Sequence, residues 1–360
     1  MTQRFLMGAN HPPQKQKAQK THSYPNGGNI LKNLKLKTAA LSVAATLLSV
    51  SAMSSAQAEI VLRLSHFAAE THPGHIAAKQ FKENVETRSN GEIIVELYPA
   101  NELGAPPEQL EQTVLGIIDM NLPTQGGLDK YEKAFGTVMT PFAFRSYDHA
   151  HEVLDGPFME WAAPKLEEKG LVMLSNWEYG FRNVTNSVRP INTPEDLAGL
   201  KLRTPPELQI VAALEAAGAQ TTQIAFPELP GALTAGVVDG QENPIGVIYH
   251  YKMYELQENL ALTRHVYNSM VHVINKAKWD SFSADQQAIL REESVSAGNL
   301  MRELVQKQEA EELAKIKESG VQITEPDLEK FKEKMGPAYD RVSEYSGEEN
   351  MKTFLGFIRK

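Results

Sequence analysis

The stretch that decides the fold runs from residue 200 to residue 244 and reads LKLRTPPELQIVAALEAAGAQTTQIAFPELPGALTAGVVDGQENP. Short β-rich runs alternate in it with segments that begin at Thr or Pro and end at Gly, which are the start and stop signals of helices. We predict strands at 200–203, at 221–224 and from 237, separated by helices at 204–218 and 227–236. Such a β-α-β-α-β series is typical of an α/β protein.

The segment that follows residue 59 shows the same alternation. Ala77, Phe81 and Val85 recur at four-residue spacing, which predicts a helix with one buried face that stops near Asn90. Strands are predicted at 60–64, 93–98, 120–122 and 171–174, and a second helix at 108–118, with Leu110, Val114 and Ile117 on its buried side. Alternating strands and helices favour a largely parallel sheet, so we predict two α/β units.

A long helix is predicted after Ser283. Ser283 and Gln286 have the spacing of a capping box, and helical patterning continues to about Lys317. Because this exceeds the usual helix length, we expect a break near 296–298 or a helix that spans two domains. Its charged residues are predicted to form a solvated face: Glu309, Glu311, Glu312, Lys315 and Lys317.

The N-terminal 58 residues have the pattern of an export signal. Three lysines precede an apolar run at 38–53, and a small-x-small site follows at 56–58. We predict a disordered leader at 1–30 and a signal peptide cleaved after about Ala58, with a signal anchor as the alternative. Removing seven basic and no acidic residues takes the formal charge from -9 to -16. The product is predicted to be exported and not membrane-spanning.

Composition excludes several classes of function. The acidic charge argues against a nucleic-acid partner. The absence of cysteine removes disulfides, thiolate metal sites and any cysteine nucleophile. The sequence contains no nucleophile elbow, zinc-protease helix, phosphate-binding loop or dinucleotide fingerprint. His149 and His151 would point to different faces of a helix, so no metal and no cofactor are predicted. A carboxylate pair for glycoside hydrolysis stays open, because any acidic chain offers candidates.

Polar residues at predicted strand ends indicate an anion site. Arg203 ends one strand just before a capped helix, where ligands bind in open α/β sheets and where arginine matches a carboxylate. Arg182 follows the strand at 171–174, and Asn243 follows the strand that begins at 237. These three side chains are predicted to converge on one cleft. The alternative for each arginine is a surface ion pair.

Two further residues are ambiguous from the pattern alone. Phe226 precedes the helix at 227, so it either walls the cleft or packs in the core. Glu178 lies four residues before Arg182, so it either contacts the ligand or is a surface charge.

Several motifs together resemble the substrate-binding proteins of TRAP transporters, over nearly all of residues 59–345. The matching segments are GFRNVTN (180–186), RPINTPEDL (189–197), GLKLR (199–203), FPE (226–228) and VDGQENP (238–244), with RLSH (63–66) and LYP (97–99) near the start.

The resemblance implies a periplasmic receptor that closes around a small organic acid and delivers it to a sodium-driven TRAP permease. In that family the arginine matching Arg203 pairs with the ligand carboxylate, and the one matching Arg182 lies beside it. The residues matching Asn243 and Phe226 complete the pocket. His66 and Thr124 match positions that vary with the ligand, expected here to be a hydroxylated mono- or dicarboxylate of the sugar-acid type.

The family fold implies two α/β domains joined by a hinge and a long interdomain helix. We expect one domain at 59–180 plus 269–308, the other at 181–268 plus 309–360, and a monomer. Two alternatives stay open: a receptor that presents its ligand to a membrane sensor, and an exported enzyme that processes carboxylates.

Overall fold

The computed structural model describes residues 59–359, and the predicted leader and signal peptide at 1–58 lie outside this range. Its strands are β1 (Ile60–Ser65), β2 (Ile93–Tyr98), β3 (Met120–Asn121), β4 (Leu171–Asn186), β5 (Lys201–Thr204), β6 (Gln220–Gln223), β7 (Gly240–Pro244), β8 (Asn259–Ala261), β9 (Tyr267–Asn275) and β10 (Gln322–Thr324). They form one sheet in the order β2-β1-β3-β9-β4-β7-β5-β6, with β8 beside β4 and β10 beside β8.

Helices cover both faces of this sheet. They are α1 (Pro73–Arg88), α2 (Pro106–Val114), α3 (Gln125–Leu128), α4 (Tyr147–Val153), α5 (Met159–Glu167), α6 (Leu208–Ala216), α7 (Leu229–Thr234), α8 (Ile245–His250), α9 (Lys276–Asp280), α10 (Ala284–Glu318), α11 (Leu328–Lys334), α12 (Gly336–Ser346) and α13 (Glu348–Ile358). In the described part of the chain, none of them is both long and apolar enough to cross a bilayer.

The sheet is mixed, so the prediction of a largely parallel sheet was only partly right. β1, β2 and β3 pair in parallel, as do β5, β6 and β7. The two longest strands, β4 and β9, pair antiparallel with each other in the middle. The sequence could not show this, because β9 returns to the sheet almost 100 residues after β4 begins.

The strand predicted at 171–174 continues without interruption to Asn186, and every residue of β4 is buried. Its alternate side chains serve two cores: Leu171 and Met173 belong to one apolar cluster, and Val172 and Leu174 belong to the other. The residues that follow the predicted strand are largely polar but buried. β9 pairs along the first part of β4, β7 and β8 pair with its last residues, and the long helix α10 packs against it.

The predicted helix and strand boundaries shift in three places near the cleft. The helix predicted at 204–218 begins at Leu208, so Thr204 ends β5 instead of capping the helix. The strand predicted from 237 begins at Gly240, and Asn243 lies inside it. The helix predicted at 108–118 ends at Val114, and Ile117 is 52% exposed instead of buried.

The capping box at Ser283 is confirmed, and the helix it starts is unbroken over 35 residues. Gly298, where a break was expected, allows α10 to approach β4: a Cβ atom there would lie 2.8 Å from the carbonyl oxygen of Asn176. The predicted solvated face is also incomplete. Glu312 is buried against His250, and Glu309 accepts a hydrogen bond from Tyr147. The division into two domains stays a prediction.

Candidate binding cleft

A cavity of about 490 Å³ opens among the loops that follow β3, β5 and β6, which is an ordinary size for a small-molecule site. Five of the seven predicted site residues line it: Thr124, Arg182, Arg203, Phe226 and Asn243. The structure therefore brings together side chains that are separated by up to 119 positions in the chain.

Arg203 is a buried cation whose guanidinium has hydrogen-bonding capacity to spare. It is 2% exposed, and its Nε donates a 2.8 Å hydrogen bond to the carbonyl of Ile224. Among the described residues, no carboxylate oxygen lies within 4.0 Å of its nitrogens. Burial lowers the pKa of Arg203 to about 10, which leaves it charged at neutral pH. A buried, unpaired charge is costly, so this site favours an anionic ligand.

Arg182 is equally buried, but its charge is already balanced. Its Nε lies 2.5 Å from one carboxylate oxygen of Glu242, and its Nη2 lies 2.8 Å from the other. Nη2 also donates to Asn243 Oδ1 at 3.1 Å. Burial opposes the charge on Arg182, but Glu242 outweighs burial and raises the pKa of Arg182. Arg182 therefore lines the cavity with a charge that Glu242 already neutralises. Arg203 is the stronger candidate for binding the anion.

Phe226 both packs in the core and lines the cavity, so it fits the two interpretations given above. Its ring packs edge-on against Tyr251 at 4.8 Å, as a core residue does. It also lines the cavity, and the Arg203 guanidinium lies 5.8 Å from its centroid. The ring thus shields one side of the cation from solvent.

His66 and Glu178 do not line the cavity. The Glu178 carboxylate contacts His151 at 2.6 Å and accepts a hydrogen bond from Tyr267 at 2.8 Å. Glu178 therefore lies outside the cavity lining, and because its side chain is fully buried it is not the surface charge of the alternative interpretation. His66 is fully buried, and its Nδ1 accepts a hydrogen bond from the backbone of Ala68.

A β-bulge explains why Glu178 is turned away from the cleft while Tyr179 and Arg182 face it. In a regular strand, residues three apart point to opposite faces of the sheet. Here the register between β4 and β9 shifts between Glu178 and Gly180, and Gly180 has a φ of 117°. The extra residue brings Tyr179 and Arg182 to the same cavity, and only glycine adopts that backbone conformation readily.

Glu207 is the cleft residue that sequence reasoning missed. The sequence places it in the first turn of the helix predicted at 204–218. It stands at the N-cap of α6 but makes no capping hydrogen bond with its side chain. Instead, Glu207 Oε1 accepts a 2.6 Å hydrogen bond from Thr124, and both residues line the cavity. A glutamate after two prolines at a strand end was the one signal available.

The two histidines of the sequence 149–151 have separate partners. His151 contacts Glu178, and His149 Nε2 lies 3.1 Å from the carbonyl oxygen of Ile358.

Stability is predicted to fall in mild acid because of buried neutral histidines. Burial lowers the pKa of His66 and of His272 to about 3, from 6.5 when exposed. Below pH 6.5 the unfolded chain therefore binds more protons than the folded one, so stability that is complete above pH 6.5 declines toward pH 3. Each histidine contributes a slope of up to about 1.4 kcal/mol per pH unit.

Urea unfolding between pH 7.5 and pH 5 measures this decline. Because His272→Gln removes one of the two groups, that variant should lose less stability over the same interval than the unsubstituted protein. An equal loss in both proteins would contradict the assignment.

The comparisons with known proteins agree with this architecture. The model of the bacterial extracellular solute-binding protein family 7 matches residues 64–345. The 2,3-diketo-L-gulonate-binding periplasmic protein of Escherichia coli K12 is 36% identical over 276 residues, which are 76% of this chain and 84% of that protein.

Two solved structures are similar throughout. The sugar acid binding protein of Advenella mimigardefordensis, in complex with galactonate, has a TM-score of 0.81 and 29% identity, covering 84% of this chain and 98% of its own. A TRAP periplasmic solute binding protein of a Sulfitobacter species, with bound β-D-galacturonate, has a TM-score of 0.80 and 31% identity, covering 83% and 99%.

A mixed sheet with helices on both faces and a polar cleft at its strand ends is an architecture in which small-molecule sites are common. The chain belongs to the bacterial extracellular solute-binding protein family 7, the substrate-binding proteins of TRAP transporters. The resemblance carried by its sequence motifs is confirmed.

Proposed function

We propose that this protein is a periplasmic receptor that binds a sugar acid in the cleft and delivers it to a TRAP-type sodium-driven permease. The observation that carries the proposal is Arg203, a buried guanidinium in the cleft without a carboxylate partner among the described residues. The similar proteins named above bind 2,3-diketo-L-gulonate, galactonate and galacturonate, each of which combines a carboxylate with several hydroxyl groups.

The residues of the cleft have distinct roles in this proposal. Arg203 pairs with the ligand carboxylate, and Phe226 excludes water from that pair. Arg182, held by Glu242, keeps Asn243 in place at the edge of the cavity. Thr124 contributes from the loop after β3. Closure of the cleft would then be a population shift, in which the ligand stabilises the closed state of a hinge.

The proposal includes a cellular setting, which the relatives support. The similar protein of Escherichia coli is a periplasmic protein. We place this chain in the periplasm as well, after cleavage near Ala58, acting as a monomer and not as an enzyme.

A thermal-shift screen tests the proposal. The purified protein is heated with aldonates, uronates, aldarates, short dicarboxylates, neutral sugars and amino acids. A ligand that binds only the folded state raises the melting temperature by mass action. We expect a clear shift with at least one sugar acid. Shifts with neutral sugars or amino acids alone would contradict an anion site.

A further inference from the structure

Glu207 brings a negative charge into a cleft that otherwise suits an anion. The residue is 7% exposed and lines the cavity. Its Oε1 accepts the hydrogen bond from Thr124, whereas its Oε2 is buried without a hydrogen-bond donor among the described residues. Oε2 packs against α3, since a Cβ atom on Gly126 would lie 2.9 Å from it, so Oε1 is the oxygen placed beside the cavity-lining Thr124. A carboxylate oxygen has two lone pairs, so Oε1 can accept a second hydrogen bond from a ligand.

The positive charges in the cleft do not offer Glu207 a partner. The Nε and Nη2 atoms of Arg182 already bind the carboxylate of Glu242. The side-chain nitrogens of Arg203 lie more than 4.0 Å from every carboxylate oxygen of the described residues. Lys130 lines the cavity but is exposed to solvent, where its charge is screened. Burial raises the pKa of Glu207, although Arg182 and the hydrogen bond from Thr124 act in the opposite direction.

Arg203 and Glu207 therefore place opposite chemistries in one cavity. A guanidinium donates hydrogen bonds and attracts a carboxylate, whereas a carboxylate accepts hydrogen bonds from hydroxyl groups and repels another carboxylate. A ligand with one carboxylate and several hydroxyls satisfies both groups. A ligand with carboxylates at both ends would place one of them against Glu207.

We propose that the Glu207 carboxylate, beside Thr124 in the cavity lining, accepts a hydrogen bond from a ligand hydroxyl and that Glu207 thereby selects polyhydroxylated monocarboxylates over dicarboxylates of the same length. This inference rests on the proposed function and narrows it, since the sequence left mono- and dicarboxylates equally open. Selection arises from attraction for the right ligand and from like-charge repulsion against the wrong one.

Matched ligand pairs test the proposal directly. Galactonate and galactarate differ only at carbon 6, where a hydroxymethyl group is replaced by a carboxylate, and gluconate and glucarate form a second such pair. Calorimetry should show that the wild type binds the monocarboxylate of a pair tighter by about a hundredfold. In Glu207→Gln, which keeps the shape and removes the charge, that ratio should fall by about tenfold or more.

Glu111→Gln is the matched control, because Glu111 also lines the cavity but is exposed. It should leave the ratio within about twofold of the wild type, since an exposed charge is screened. Far-UV circular dichroism checks that each variant is folded. Because each ratio is measured within one protein, a moderate loss of stability does not affect it.

The outcomes separate this inference from the proposed function. Tight binding of an aldarate that Arg203→Ala abolishes would leave the proposed function standing and overturn the selection by Glu207. An unchanged ratio in Glu207→Gln, or an equal fall in Glu111→Gln, would overturn it as well. If the wild type bound no organic acid, both proposals would be wrong.

Discussion

Arg203→Ala is expected to weaken sugar-acid binding by about 2–5 kcal/mol, or roughly 30- to 5,000-fold in Kd. The ligand carboxylate would lose its charged partner, a guanidinium that is 2% exposed in the cavity lining. The stability of the empty protein should change little, because the substitution removes a buried charge that has no ion-pair partner among the described residues but also the hydrogen bond to the carbonyl of Ile224.

Two measurements on the same variant check this expectation. Isothermal titration calorimetry with the sugar acid found in the thermal-shift screen measures the affinity, and urea unfolding without ligand measures the stability. Lys130→Ala is the control, because Lys130 is an exposed cation that lines the same cavity. Wild-type affinity in Arg203→Ala, or an equal loss in Lys130→Ala, would show that Arg203 is not the anchor.

Glu242→Ala, in contrast, is expected to lower the stability of the fold more than the affinity for the ligand. The side chains of Arg182 and Glu242 are 3% and 0% exposed, and two hydrogen bonds join the guanidinium to the carboxylate. Removing the carboxylate leaves a buried guanidinium without its partner. The free energy of unfolding should fall by about 3–5 kcal/mol.

A double variant distinguishes the loss of the ion pair from the loss of packing. Arg182→Met combined with Glu242→Leu fills the same space without charge, and such replacements of buried ion pairs are often close to neutral. The double variant should recover most of the stability lost in Glu242→Ala. If it were as unstable as Glu242→Ala, the loss would come from packing and not from an uncompensated charge.

The sequence predicted much of the α/β architecture because that information is local. The apolar spacing of Ala77, Phe81 and Val85 and the capping box at Ser283 each depend on a few neighbouring residues, and both appear in the structure. The antiparallel centre of the sheet depends on pairing between residues about 100 positions apart, such as Leu171 with Asn275. No local pattern carries that information.

The candidate site divides in the same way. Arg203 and Asn243 are each the second-last residue of a strand, so general rules for α/β sheets place them near the cleft. Arg182 reaches the cleft from well inside β4 and not from a loop after a strand. Glu178 lies outside the cavity lining because a β-bulge, which no residue pattern indicated, separates it from Arg182.

The short segment from Arg203 to Glu207 also limits the distance between the two side chains. Its two end residues, which we propose contact opposite parts of the ligand, are four positions apart, so their Cα atoms can be no more than about 14 Å apart. Pro205 and Pro206 stiffen the connection, and the amide of Glu207 donates to the carbonyl of Pro205 at 2.8 Å. The covalent chain thus sets an upper limit to the spacing of these two side chains, and that limit would hold in an open and in a closed cleft alike. In a related protein that binds longer acids, we therefore expect residues 204–206 to differ in sequence or number while the arginine at 203 is retained.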